Sequence, residues 1–125
     1  MKTLKPDNTY LSRVHELRVG KINLYVTLVE KDNKLYKVII AGAHQHQDTR
    51  QFLAGIAQLI NLCIKHSVPY EKIYECLKFH RGEMYGMTGN AKVKNVSGYL
   101  DAIGKIMEHE YPDGNKKQED TCTSS

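Results

Sequence analysis

The 125-residue sequence predicts an α+β fold, in which about three helices pack on one face of a small antiparallel sheet. Two segments, residues 22–29 and 35–41, are rich in β-branched and aromatic residues and are joined by a short polar turn. Apolar residues then recur at helical spacing over residues 48–65, and two shorter helical patterns follow. Strands that precede a run of helices are typical of α+β domains.

The strands are predicted from alternation and from turn residues. In residues 22–29 (INLYVTLV) every second side chain is apolar, which favours burial of one strand face. The tetrapeptide KDNK at 31–34 is a turn signal, so residues 35–41 should return as the second strand of a hairpin. Residues 10–17 show a weaker strand pattern, and residues 1–9 are expected to be a loose lead-in.

The first helix is the strongest element in the sequence. Asp48 and Thr49 offer oxygen acceptors suited to its N-cap, and its apolar pattern continues to about Lys65. The side chains expected on its buried face are Phe52, Ile56, Leu59, Ile60 and Cys63. Gly55 and Ala57 leave room for close approach by another helix, which suggests this helix as the seam of a dimer.

Two shorter helices and the loop between them follow. Ser67 and Pro69 suit the start of a second helix, and a brief strand is expected near residues 91–94. Ser97 is expected to cap the last helix. The apolar face of the second helix carries Ile73, Tyr74 and Leu77, and that of the last helix carries Tyr99, Ile103, Ile106 and Met107.

Length and composition indicate one domain at residues 1–112, followed by a disordered tail at residues 113–125. No apolar run is long enough to cross a membrane, and the first ten residues do not resemble a signal segment. Cys63 and Cys76 fall in apolar helical patterns and are expected to be buried, reduced thiols, as in a cytoplasmic protein. The net charge of +4 suits an anionic partner, but no compact basic stripe predicts long nucleic acid.

The most informative segment is residues 77–95, LKFHRGEMYGMTGNAKVKN. It combines three glycines, the aromatic side chains of Phe79 and Tyr85, four cations and the amide of Asn90. Glycine lets backbone N–H groups approach a ligand, aromatic rings stack on bases, and cations meet phosphates. The segment therefore predicts a site that holds a small phosphorylated, base-containing ligand without breaking it. A flexible, turn-rich connector has the same composition, and the glycine spacing matches neither a Walker loop nor a dinucleotide fingerprint.

Residue types suggest three other sites. The start of the first helix, with Thr49 and Arg50, is a second candidate anion seat because its free N–H groups and its dipole attract negative charge. A metal could be held by His44, His46 and Asp48, but no cysteine or glutamate stands beside them at zinc spacing, and no metal is expected. Cys76 and His80, four residues apart, could form a thiolate pair, but the apolar neighbours of Cys76 argue against it, and no catalytic residue is predicted.

Three stretches resemble the TSCPD-type domain, which occurs at the C-terminus of cobalamin-dependent ribonucleotide reductases and in small stand-alone proteins. They are LYVTLVEKDNKLYKVIIAG, LAGIAQLINLCIKHSVPYEKIYECLKFHRGE and VSGYLDAIGKIM, and the resemblance covers about residues 21–107. The segments HSVPYEKIYECLK and DAIGKI are its most specific parts. The family's T-S-C-P-D string is replaced by NVSGY at residues 95–99, with only Asp101 following, so no thiol or metal role of that motif transfers.

Among stand-alone proteins of this layout, the sequence is similar to the phage Thoeris anti-defence sponge family. Members bind cyclic ADP-ribose signals in the host cytoplasm without degrading them, and are symmetric oligomers built from dimers, with pockets at chain interfaces. The resemblance implies that Phe79 and Asn90 belong to the pocket, because the family places an aromatic residue and an asparagine just after the second helix. It also implies a separate site for cyclic oligonucleotides, for which Lys105 is the candidate.

Together these inferences predict a non-enzymatic sponge for a cyclic ADP-ribose isomer or a related cyclic nucleotide, with no cofactor. The protein is expected to be a homo-oligomer, either a dimer or a trimer of dimers. The ligand-binding residues expected are Phe79, His80, Arg81, Tyr85, Thr88 and Asn90, with Thr49 and Arg50 supplied by the same or a second subunit. Two alternatives remain open: a nucleotide-cleaving enzyme that uses His80, or His44 with His46, and an accessory module of ribonucleotide reduction.

Overall fold

The computed structural model describes residues 9–20, 22–42, 47–82 and 85–112, which form the predicted α+β fold. A three-stranded antiparallel sheet in the order β1-β2-β3 is followed by two helices, a two-stranded ribbon and a last helix. The elements are β1 (Leu11–Val19), β2 (Ile22–Lys31), β3 (Lys34–Gly42), α1 (Gln47–Lys65), α2 (Tyr70–Leu77), β4 (Gly86–Met87), β5 (Asn95–Val96) and α3 (Tyr99–Glu110).

The predicted hairpin is confirmed, and its turn explains its register. Asp32 and Asn33 both have positive φ, 56° and 64°, as a two-residue type I′ turn requires, and Lys31 pairs with Lys34 across it. Because side chains alternate along a strand, this register places Leu24 and Val26 on the inner face, where both are fully buried. The weaker strand pattern is also confirmed, since β1 pairs with the whole of β2.

The core lies between the inner face of the sheet and two of the helices. α1 packs on β3, α3 packs on β1 and β2, and α2 packs against α3. α3 supplies the most deeply buried helical side chains, which are Ala102, Ile103, Ile106 and Met107. The predicted inner face of α3 is therefore confirmed: Ile103, Ile106 and Met107 are in the core, and Tyr99 is half-buried.

The edge strand β3 is bound by polar side chains from the helices. The Asn61 carboxamide accepts a hydrogen bond from the Val38 N–H at 2.7 Å and donates one to the Val38 carbonyl at 3.0 Å. The Tyr70 hydroxyl accepts a hydrogen bond from the Leu35 N–H at 3.0 Å. These side chains occupy backbone groups that a further strand would otherwise use.

The predicted buried face of α1 was partly wrong. Phe52 and Leu59 are 50% and 60% exposed, while Leu53 and Ile60 are buried. The bonds from Asn61 to β3 fix the rotation of the helix, and Leu53 and Ile60 lie on the same side as Asn61. The helix also begins at Gln47, so Asp48 and Thr49 lie within its first turn rather than at its N-cap.

The start of α2 lies where it was predicted, whereas the cap of α3 differs from prediction. Pro69 is the N-cap residue of α2, and Ser67, two residues before it, adopts a left-handed conformation with φ 63°. Gly98 is the N-cap residue of α3 and makes no side-chain cap bond; Ser97 instead donates its backbone N–H to Asp101. The Ser97 side chain is therefore not the N-cap that the sequence predicted.

The prediction of a strand near residues 91–94 was wrong. The chain bends there, because Asn90 Oδ1 accepts the backbone N–H groups of Lys92 and Val93, and the strand begins only at Asn95. Cys76 is exposed rather than buried, whereas Cys63 is half-buried as a free thiol. The lead-in up to residue 8, His44, His46, Cys122 and the tail at 113–125 lie outside the described residues.

None of the described helices has the length and apolar character needed to cross a bilayer.

Candidate functional site

The loop after α2 and the loop before α3 meet at one buried carboxylate. Asp101, in the first turn of α3, has a fully buried side chain. Its Oδ1 accepts the Phe79 N–H at 2.5 Å, and its Oδ2 accepts the Ser97 N–H at 2.8 Å. Gly82 adds a parallel bond from its N–H to the Ser97 carbonyl at 2.7 Å. Asp101 therefore ties together two loops that are remote in sequence.

This carboxylate is held in its charged form. Burial raises the pKa of Asp101, but hydrogen bonds from the Phe79 and Ser97 amides and from Lys105 outweigh that effect and leave the pKa lowered. Lys105 Nζ lies 2.9 Å from Asp101 Oδ2, one helical turn along α3. The position near the helix N-terminus also favours negative charge. Asp101 is therefore a fixed anion beneath the loop.

Phe79 stands outward from this support. Its ring is 71% exposed, and its backbone has φ 70°, a left-handed conformation that non-glycine residues rarely adopt. The Lys78 and Lys105 ammonium groups lie 5.0 and 5.5 Å from the ring centroid, within the range of cation–π attraction. A large apolar ring is thus presented to solvent between two cations.

A groove of about 270 Å³ surrounds this ring; we call it the Phe79 groove. Its lining residues are Lys78, Phe79, Lys92, Val93, Lys94, Asn95, Lys105, Glu108 and His109. Lys78 pairs with Glu108 at 2.7 Å. Within the described part of the chain, Lys92 and Lys94 make no ion pair. The groove therefore offers an aromatic face and an excess of positive charge.

Asn90 has a different situation, because both ends of its amide are already bound. Its Oδ1 accepts the N–H groups of Lys92 at 2.8 Å and Val93 at 3.3 Å, and its Nδ2 donates to the Glu16 carbonyl at 3.1 Å. Thr88 is buried beside it, where its hydroxyl accepts the Asn90 N–H and donates to the Val93 carbonyl. Asn90 and Thr88 thus hold the loop in shape and fix it to β1.

A second depression, the Asn90 cleft, has a volume of about 480 Å³. It is lined by Arg13, Val14, His15, Glu16, Gly89, Asn90, Ala91 and Lys92. Lys92 lines both the cleft and the Phe79 groove, while Phe79 and Asn90 lie in different depressions. Within one chain, the two residues expected to share a pocket are therefore separated.

A second buried carboxylate, Glu110 at the end of α3, contacts two side chains that line the cleft, Arg13 and His15. Arg13 Nη1 lies 2.9 Å from Glu110 Oε1. His15 Nε2 lies 3.2 Å from Oε2, the separation of an ion pair without the alignment of a hydrogen bond. The contact with His15, together with the charges of Arg13 and His109, outweighs burial and lowers the pKa of Glu110 to about 2.

The other predicted site residues are dispersed. His80 Nε2 donates to the Cys76 carbonyl at 2.8 Å, so the imidazole contacts the backbone and not the thiol. The Arg81 guanidinium lies 5.3 Å from the centroid of the exposed Tyr85 ring. Arg50 lines a depression of about 630 Å³ formed by β3 and the start of α1. Thr49, its half-buried neighbour, is also in the first turn of that helix.

Lys105, expected to mark a separate nucleotide site, lies beside Phe79 in the same groove. Among the described residues, no three His, Cys, Asp or Glu side chains are placed to hold a metal ion. His44 and His46 lie outside those residues. The residue that sequence reasoning missed is Asp101, and its signals were an acid at the third position of a helix and a lysine four residues on.

Comparison with curated proteins and with solved structures gives no match. The family model of the TSCPD domain matches residues 2–111, which is most of the chain. The protein therefore belongs to the TSCPD domain family.

Proposed function

We propose that this protein binds and sequesters a cyclic ADP-ribose-type signalling nucleotide without degrading it, as a phage anti-defence sponge in the host cytoplasm. The observation that carries the proposal is the exposed ring of Phe79 in a groove lined by lysines. An aromatic face with adjacent cations matches a ligand that joins a base to phosphates. The sponge family that the sequence resembles uses such an aromatic residue at this place.

The Phe79 groove suggests how such a ligand is held. A purine that stacks on the ring gains about 1–3 kcal/mol. It takes the place of the Lys78 ammonium group now lying over the ring, and Lys78 can then turn to the diphosphate. Lys92 and Lys94 supply further positive charge along the groove. The binding chemistry thus needs no covalent step.

A sponge needs an affinity near the nanomolar range, which corresponds to about −12 kcal/mol. One stack and a few exposed ion pairs supply only part of that free energy, so the proposal includes a second subunit that covers the groove. The outer face of α1 supports a homo-oligomer, either a dimer or a trimer of dimers. Phe52, Leu59 and Leu62 are at least half exposed there, and a side chain at Gly55 would meet nothing within 4 Å.

The proposal is tested by native mass spectrometry and calorimetry with cyclic ADP-ribose isomers. Tyr36 gives a control variant, because it is an exposed aromatic residue on β3, outside both the groove lining and the outer face of α1. Phe79→Ala should weaken binding about 10- to 100-fold, the equivalent of one lost stack, whereas Tyr36→Ala should leave the affinity unchanged. Ligand recovered after denaturation should be intact.

Other outcomes would support the alternatives. Release of cleaved product with turnover would identify an enzyme, and substitution of His80 would then have to abolish cleavage while preserving binding. Absence of heat with every cyclic nucleotide, from a folded protein, would favour an accessory module of ribonucleotide reduction. Because Lys105 and Phe79 share one groove, a cyclic oligonucleotide held by Lys105 should compete with cyclic ADP-ribose.

A further inference from the structure

We infer that Asp101 is the positioning residue of the Phe79 groove: it holds the ring outward and aims the Lys105 ammonium across it. The predicted effect on ligand binding rests on the proposed function. The positioning of Phe79 and Lys105 rests only on the contacts that Asp101 makes. A buried charge is costly unless it is satisfied, and this one is satisfied by two backbone N–H groups and one ammonium.

The first step is the backbone of Phe79. A non-glycine residue at φ 70° is disfavoured and persists only where its surroundings impose it. The hydrogen bond from the Phe79 N–H to Asp101 Oδ1, at 2.5 Å, is a charge-assisted contact on that strained residue. Asp101 therefore selects the conformation in which the ring projects into solvent.

The second step is the placement of Lys105. Its ammonium bonds Asp101 Oδ2 at 2.9 Å and the Asn95 carbonyl at 3.1 Å, and these two contacts leave it 5.5 Å from the Phe79 centroid. One carboxylate thus fixes both the aromatic surface and a cation beside it. Fixing both groups before the ligand arrives removes an ordering cost from binding.

Glu108 provides a matched control for charge. Glu108 lies on α3, as Asp101 does, and lines the Phe79 groove. Its carboxylate pairs with the Lys78 side chain rather than with backbone N–H groups of the loop that carries Phe79. If Asp101 acted only as a negative charge near an anionic ligand, its removal would tighten binding. If it acts by positioning, its removal weakens binding in spite of the favourable change in charge.

The first experiment measures binding of cyclic ADP-ribose and of ADP to Asp101→Asn and Glu108→Gln. We expect Asp101→Asn to weaken binding about tenfold and Glu108→Gln to tighten it, because Lys78 loses its ion pair and the groove loses a negative charge. In the double variant Asp101→Asn/Phe79→Ala, the two losses should overlap rather than add, because both act through one ring. Fully additive losses, or tighter binding by Asp101→Asn, would overturn the inference.

The second experiment needs no nucleotide and separates this inference from the proposed function. The chain contains no tryptophan, so Phe79→Trp places a single tryptophan in the groove, and its fluorescence can be excited selectively over that of the tyrosines. Adding Asp101→Asn should lower its anisotropy and increase acrylamide quenching, while the same change should not affect a Phe52→Trp reporter on α1. Unchanged anisotropy at position 79 would refute positioning, whatever the binding result.

Stability is followed by thermal melts, so that unfolding is not mistaken for loss of position. If Asp101→Asn does not fold, Asp101→Ser, which keeps one oxygen acceptor, takes its place with the same expectations. If neither variant folds, Asp101 is required for folding and not specifically for positioning the ring, and the inference is rejected.

Discussion

The two ends of α3 each carry a buried carboxylate, and the two are used differently. Asp101 lies near the positive end of the helix dipole and is satisfied mainly by backbone N–H groups. Glu110 lies at the negative end, where its charge is unfavourable, and the side chains of Arg13 and His15 compensate for it. Asp101 supports the loop that carries the exposed Phe79 ring, whereas Glu110 joins α3 to β1.

The loops that contain Phe79 and Asn90 differ in a related way. In the Phe79 groove, the backbone is fixed by other residues and the side chain is left exposed. In the Asn90 cleft, the side chain itself fixes the backbone, through bonds from both its amide oxygen and its amide nitrogen. The comparison teaches that two residues with the same expected role can differ in structure, one as an exposed ring and the other as a support for the loop.

The largest expected effect on stability is that of Asn90→Ala. Three hydrogen bonds are lost, at about 1 kcal/mol each, so the free energy of unfolding should fall by about 3 kcal/mol. Urea denaturation of this variant and of Phe79→Ala measures the contrast. Phe79→Ala should lose little stability, since its ring is exposed; an equal loss in both variants would remove the distinction between the exposed ring and the loop support.

Gly104→Ala tests the close approach of α3 to the end of α2. An added Cβ would lie 2.9 Å from Lys78 Cγ and 3.0 Å from Leu77 Cβ, so we expect a loss of about 2 kcal/mol and a displaced Lys78. Glu108→Ala, which breaks the ion pair of Lys78 without crowding, should cost less than about 1 kcal/mol. Similar melting temperatures for both variants would show that the helices separate without strain.

The lowered pKa of Glu110 predicts that acid will reduce the stability of the folded protein. Its pKa falls from 4.5 to about 2 on folding, so its contribution to stability is present above pH 4.5 and is lost as the pH falls toward 2. Denaturation midpoints measured across that interval should fall more steeply for the native chain than for Glu110→Gln. Parallel curves would mean that Arg13 and His15 do not stabilise the ionised form.

The smallest expected effect on stability is that of Lys94→Gln in the Phe79 groove. The side chain is exposed and has no ion pair among the described residues, so stability should change by less than about 0.5 kcal/mol. Binding of the proposed ligand should nevertheless weaken and become less dependent on salt, because one phosphate contact is lost. A salt series in calorimetry, with Lys34→Gln at the remote hairpin turn as control, measures this effect.

The sequence predicted the fold well because the fold depends on local signals. Alternation in β2 and the Asp32-Asn33 turn determine the hairpin, and helical periodicity locates α1 and α3. The exposed face of α1 was missed because Asn61 determines the helix rotation through β3, which is a tertiary contact. Composition singled out Phe79 as a candidate, whereas its separation from Asn90 depends on bonds to Asp101 and Glu16, which are distant in sequence.

The side chains of Asn61 and Tyr70 along β3 bear on the resistance of this protein to aggregation. A bare edge strand invites edge-to-edge pairing with other chains, and here an incoming chain would first have to displace a carboxamide and a phenol at Leu35 and Val38. At the opposite edge, Arg18 and Glu16 of β1 are already bonded to the loop at Thr88 and Asn90. Addition of further strands is thereby discouraged at both edges of the sheet, which protects the protein from open-ended aggregation.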